Sequence, residues 1–276
     1  MTEHQILGVD FSSTPSPAKP ITVAHARRVS SCRIEVERLE ALASLADFEA
    51  LLQRAGPWVG GFDFPFGLPR ELVQTLGWPL NWRQLVTHFA AQPRPALRES
   101  FKAFCAARPA GAKFAHRATD RPAGSSPSMK WVNPPVAWML HAGAPRLLAA
   151  GVHMPGLSEG DRSRVALEAY PGMLARDITR DSYKSDDRAK QDAARLDARR
   201  TIVAALYSGR HRFGLEVRFA RGLRARIEEE PKGDWLDSVL CAVQAAWAAM
   251  QGPGYGLPDE VDPIEGWIIG AEARSG

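Results

Sequence analysis

The chain has 276 residues, is 45% hydrophobic and 24% charged, and carries a net charge of +4. That length buries a full core, and the composition excludes a disordered or fibrous chain; a pI near 9.1 accommodates a polyanionic partner such as nucleic acid without requiring one. Three scattered cysteines, Cys32, Cys105 and Cys241, with no Cys-x-x-Cys, argue against a disulfide framework or a thiolate zinc site and fit a reducing compartment.

Residues 5–12 read as a buried strand, an apolar run climbing to Asp10 and ended by small hydroxyl residues. Asp10 interrupts the only N-terminal apolar stretch, and no other run approaches a membrane span, so the chain reads as cytoplasmic with no membrane partner. Residues 21–28 and 32–39 alternate as half-exposed antiparallel strands would, completing a three-stranded meander. Residues 42–55 place Leu45, Phe48, Leu51 and Leu52 at helical spacing, and Gly56-Pro57 ends that helix. Residues 58–64 then form a second buried strand, joined to the first by a right-handed parallel crossover.

Residues from about 76 to 160 read as a mainly helical insertion or lid on a single domain spanning 1–276. Helical pieces at 82–91, 96–107 and 135–150 flank a Pro-, Gly- and Ser-rich stretch around 117–128, long for a loop in a compact domain. Residues 164–170 are a third strand candidate, stopped by Pro171-Gly172. Residues 186–207 form a charged amphipathic helix, residues 216–229 suit helix or strand equally, and residues 233–250 form a helix with Asp234 as its N-cap. The tail, 251–276, is loop with a short apolar piece at 267–269.

Single acids stand at the ends of these strands. Asp10 alone is equally a cap of the turn that follows it. Asp63 lies between Phe62 and Phe64, so alternation puts it on the opposite face, where a covered carboxylate needs a partner. Glu168 is the one acid of Val-Ala-Leu-Glu-Ala-Tyr-Pro, and it serves as well as an edge-strand acid facing water. Asp234 and Asp237 share one face at a helix start, where acids are common. Parallel strands ending side by side bring such acids to the edge where these sheets bind ligands. Carboxylates that close repel unless a cation compensates them, and oxygen-only ligands suit Mg²⁺ or Mn²⁺.

Gly-Val-Asp near the start, then Phe-Asp-Phe-Pro-Phe-Gly-Leu, Leu-Glu-Ala-Tyr-Pro and Asp-x-x-Asp-Ser-x-x-Cys-Ala, resemble an uncharacterised family of predicted ribonuclease H-like nucleases. The Asp234/Asp237 spacing is similar to the paired helix acids of Holliday-junction resolvases. The resemblance covers the core in pieces but not residues 80–155. It implies an α/β fold: a ribonuclease H-like mixed sheet, antiparallel over its first three strands and then parallel, with flanking helices. It implies Asp10, Asp63 and Asp237, with Asp234 beside it, as metal ligands, and a matching acid at Glu168. The expected catalytic set is therefore Asp10, Asp63, Glu168 and Asp237.

Lys184, in Ser-Tyr-Lys-Ser, resembles a lysine stretch of the same family and is a candidate for substrate phosphate, as are Arg117, Arg121 and Lys130 beside Trp131. Each is equally a solvated surface residue. The expected function is metal-dependent hydrolysis of phosphodiesters in DNA or RNA. An ATP-dependent phosphotransferase of the actin-like or sugar-kinase type competes with it, because Gly8 to Thr14 also suits a phosphate loop. A non-catalytic scaffold of the same fold is the third reading.

Overall fold

Seven strands form one mixed sheet: β1 (Gln5–Asp10), β2 (Ile21–Ser30), β3 (Arg33–Leu42), β4 (Trp58–Asp63), β5 (Val152–His153), β6 (Asp161–Glu168) and β7 (Glu216–Phe219). The computed structural model describes residues 4–272, so both ends of the expected 1–276 boundary lie outside the described residues. Across the sheet the order is β5-β6-β4-β1-β2-β3-β7. The first three strands are antiparallel, whereas β4 runs parallel to β1, β6 to β4, β5 to β6 and β7 to β3. This is the expected α/β mixed sheet in a ribonuclease H-like arrangement.

Ten helices flank it among the described residues: α1 (Leu45–Leu52), α2 (Arg70–Thr75), α3 (Trp82–Ala91), α4 (Arg94–Ala106), α5 (Asp120–Ala123), α6 (Val136–Ala150), α7 (Pro171–Ile178), α8 (Ala193–Ser208), α9 (Leu223–Glu229) and α10 (Asp234–Met250). None is long and apolar enough to cross a membrane. Alternation along the strands divides the core. Leu7, Val9 and Phe62 join Phe48 of α1, Leu85 of α3, Phe101 of α4 and Leu140 of α6. Ile6, Val59, Val165 and Leu167 join Leu174 of α7, Ile202 of α8 and the apolar side of α10 on the opposite face.

Local chemistry explains several boundaries. Ser44 caps α1 reciprocally with Asp47: the Ser44 side chain accepts from the Asp47 amide at 3.1 Å and Asp47 accepts from the Ser44 amide at 3.0 Å. The charged helix expected from residue 186 starts only at Ala193, because the Asp192 side chain accepts from the Arg195 amide and sets the cap there. The stretch 216–229 is both strand and helix, β7 followed by α9. Asp234 is not the N-cap of α10. That place belongs to Gly233, whose φ of +78° is open to glycine at little cost.

His25 on β2 lies buried against an ionic cluster. Its Nδ1 receives Gln5 Nε2 at 3.3 Å and Arg38 Nη2 at 3.2 Å, and its Nε2 donates to Glu40 at 2.7 Å. Two donors on Nδ1 leave the proton on Nε2 and the ring neutral. Burial, with Arg38 adding to it, lowers the His25 pKa to about 4. The Arg54 hydrogen bonds chiefly hold Glu40 down to about 2 against its partial burial. A folded pKa below the unfolded one means that the unfolded chain takes up the proton first as pH falls. The share of stability that these two groups hold is therefore expected to be full above about pH 6.5, to decline toward pH 4 as His25 is forced to charge, and to decline again below about pH 4.5 through Glu40. Urea unfolding between pH 7 and 4 should show the His25 share, at most about 2–3 kcal/mol, and His25→Gln should flatten the slope.

Candidate functional site

Two glycines decide how closely α10 approaches the sheet. Gly8 and Gly61 are register partners on β1 and β4, as are Asp10 and Asp63 two residues on. All four share a face, because side chains repeat every second residue. A Cβ on Gly8 would lie 2.0 Å from the Ser238 carbonyl oxygen, and one on Gly61 would lie 2.5 Å from that of Cys241. Hydrogen at these two positions lets α10 lie directly on the strands. Its first turn then stands over the strand ends that carry Asp10 and Asp63.

Asp10 and Asp63 are register partners at the ends of β1 and β4 and interact electrostatically. Burial raises both pKa values, most strongly for Asp10; Asp237 raises both further, and Lys184 is the cation that opposes this at both sites. Asp237 is wholly buried. The Tyr183 hydroxyl donates to its Oδ1 at 2.6 Å, and the Lys184 ammonium pairs with its Oδ2. Asp234 lines the cleft, its carboxyl pKa raised to about 6 by burial, then by Glu230 and Asp237.

This pair stands at a cleft of about 1090 Å³ that is also lined by Ser12, Ser13, Thr14, Lys19, Lys184 and Lys232. A second, narrower cavity of about 410 Å³ lies on the other side of Asp63, walled by Phe64, Pro65, Met139, Tyr170 and Ile268. Asp63, Pro134 and Met139 border both.

Glu168 does not line the cleft with Asp10; it lines the second cavity with Asp63 and Arg117. Its register partner is Phe62, one residue behind Asp63, and alternation carries it with Ala166 to the opposite face of the sheet. Nor does it face water, since Ile268 bridges it on the outer side and its side chain is buried. There it meets Arg117, whose Nη1 and Nη2 donate to its two oxygens at 2.8 and 2.7 Å. The Phe66 amide adds a bond at 2.9 Å. Arg117 also donates to Asp120 through Nε at 3.0 Å and Nη2 at 2.9 Å, and to the Glu265 carbonyl at 3.0 Å. Arg117 is thus no phosphate-facing residue: its side chain is 1% exposed and saturated.

Arg121 is exposed and Lys130 half-buried, and neither lines the cleft. Trp131 packs among Phe101 and Phe114 rather than standing free for a base. Lys184 reaches the cleft, as does its neighbour Asp186. Sequence reasoning missed the cleft lysines Lys19 and Lys232 and the Tyr183 hydroxyl. The adjacency of Lys232 to Gly233-Asp234 was a readable signal for the second of these.

Among the described residues, no three His, Cys, Asp or Glu side chains stand ready together to hold a metal ion. The physical reason is that Asp237 is occupied by Tyr183 and Lys184, and Glu168 by Arg117. Asp10 and Asp63 are two oxygen donors side by side at the cleft, their charge opposed by one ammonium. Comparison with curated proteins and with solved structures returned no match. The chain belongs to the family described as Protein of unknown function (DUF429), whose family model matches residues 8–262.

Proposed function

We propose that the chain is a divalent-metal-dependent nuclease that hydrolyses phosphodiester bonds of DNA or RNA at the Asp10–Asp63 pair. The observation that carries this reading is the in-register pair of aspartates at the mouth of a cleft bordered by three lysines. Asp10 and Asp63 would hold Mg²⁺ or Mn²⁺, which when bound activates water and offsets charge on the attacked phosphate. Lys19 and Lys232 supply positive charge along the cleft for the backbone of a polyanion. The adjoining cavity, with Phe64, Pro65 and Met139 in its wall, offers the apolar surface that an unstacked base takes. Arg117 and Glu168 line the adjoining cavity beside Asp63, where their ion pair fixes the wall of the site.

The test is cleavage of single strands, duplexes, RNA–DNA hybrids and junctions by the purified protein with Mg²⁺ or Mn²⁺. Asp10→Asn is expected to lower the rate at least about a hundredfold, the scale of losing one group that stabilises a reacting centre, while the protein still melts cooperatively. Inactivity of the natural chain on every substrate with either ion would refute the reading. Ser12, Ser13 and Thr14 line the same cleft, which favours a nucleotide phosphotransferase as the second reading. Tight ATP binding by calorimetry, without nucleic-acid cleavage, would select it.

A further inference from the structure

Adjacent residues of one loop take both oxygens of a buried carboxylate, Tyr183 on Oδ1 and Lys184 on Oδ2 of Asp237. That loop is clamped from several directions. The buried Arg199 of α8 donates to the Tyr183 carbonyl at 2.8 Å and to the Glu228 carbonyl at 2.7 Å. The Ser185 amide bonds the Pro231 carbonyl at 3.2 Å, and Asp186 pairs with Lys19 at 2.9 Å. Gly233 admits the loop to the start of α10, since a Cβ there would lie 2.7 Å from that of Lys184. The backbone that carries Lys184 is therefore fixed, yet its side chain is 43% exposed along the cleft. The ammonium has room to leave Asp237 by side-chain rotation alone.

One buried carboxylate, Asp237, holds the ammonium at the cleft that Asp10 and Asp63 also line. A divalent ion at Asp10 and Asp63 would draw on the same negative charge and repel the ammonium at short range.

We propose that Lys184 is the resident counter-ion of this cluster, that it competes with a divalent ion for the carboxylates, and that ion binding releases its ammonium from Asp237 into the cleft. The inference rests on the metal-dependent reading above. Release does two things together. It frees Asp237 Oδ2 as a third oxygen ligand, and it delivers a cation to the place where a substrate phosphate would lie. Lys184 is thereby a positioning residue of the empty site and a phosphate contact of the loaded one.

Calorimetric titration of Mn²⁺ into the full chain, Lys184→Met and Lys184→Arg, with melting curves of each, tests this. Lys184→Met is expected to bind Mn²⁺ at least about tenfold more tightly than the natural chain, since no ammonium must be displaced. It should melt lower without metal, because Asp237 loses its cation, and gain more from saturating Mn²⁺ than the natural chain does. Lys184→Arg, which keeps the charge, should stay within a few-fold of natural affinity. Equal or weaker Mn²⁺ binding by a cooperatively melting Lys184→Met would overturn the competition while leaving the metal reading intact. Absence of Mn²⁺ binding by all three proteins would instead overturn the metal reading. Should Lys184→Met not fold, a Mn²⁺-soaked crystal of the natural chain decides. Nζ away from Asp237 is expected, and an ion on Asp10 and Asp63 with the Lys184–Asp237 pair intact would overturn the proposal.

Discussion

Exchanging Arg117 for methionine is expected to lower the unfolding free energy by about 3–5 kcal/mol, the cost of leaving buried charge without its partner. The guanidinium sits between Asp120 and Glu168, with all three side chains at most 3% exposed. Burial penalises the charged arginine, and the two carboxylates more than restore it, raising its pKa. Methionine fills much of the volume but strands both acids. Their removal by protonation would then cost stability at neutral pH. Chemical denaturation should report the loss, with a fall in melting temperature of roughly 6–15 °C. Adding Glu168→Gln to the methionine variant should recover part of it, because one stranded charge disappears. A loss under about 1 kcal/mol, the scale of an exposed ion pair, would show that the triad is not the junction described here.

Gly8→Ala carries the second large effect. The new methyl would meet backbone atoms of α10, the Ser238 carbonyl oxygen at 2.0 Å and the Ala242 amide nitrogen at 2.2 Å. Backbone cannot rotate aside as a side chain can, so the helix must lift from the sheet. Overpacking of this kind costs about 1–3 kcal/mol and occasionally more, and contact with backbone on two sides places Gly8→Ala at the upper end. Gly254→Ala is the control, with nothing within 4 Å of its Cβ, and should melt within a degree or two of the natural chain. Because α10 carries Asp237, a folded Gly8→Ala should also lose nuclease activity, if the proposed reaction is the right one, without any change to a carboxylate. Unaltered stability in Gly8→Ala would mean that α10 does not lie where it is placed here.

Much of the sheet was legible from local pattern. The strand carrying Asp10, the meander after it and the strand ending in Asp63 each follow from alternation and turn chemistry within a dozen residues. The direction of Asp63, opposite Phe62 and Phe64, followed from the same period. What was not legible depends on distant partners. Glu168 has the look of a site acid in its own strand, and only Arg117, 51 residues earlier, turns it into half of an internal ion pair. Arg117 in turn sits in a Pro-, Gly- and Ser-rich stretch that suggests a solvated loop. Lys184 was a candidate for substrate phosphate through its resemblance to a family lysine stretch, whereas its partner Asp237 lies 53 residues on. The glycines at 8 and 61 were the opposite case. They were visible in the sequence, but their purpose appears only when a helix backbone is found lying on them.

The helical segment leaves the sheet just after Asp63 and returns at β5, so it is rooted where β4 ends without contributing a strand beside Asp10. The aspartate pair and the helical segment are therefore structurally separable. The aspartate register belongs to β1 and β4, while Pro134 and Met139, which face both the cleft and the adjoining cavity, belong to the excursion. Rebuilding residues 70–150 would leave the aspartate register untouched, on one condition: the replacement must still deliver a cation to Glu168.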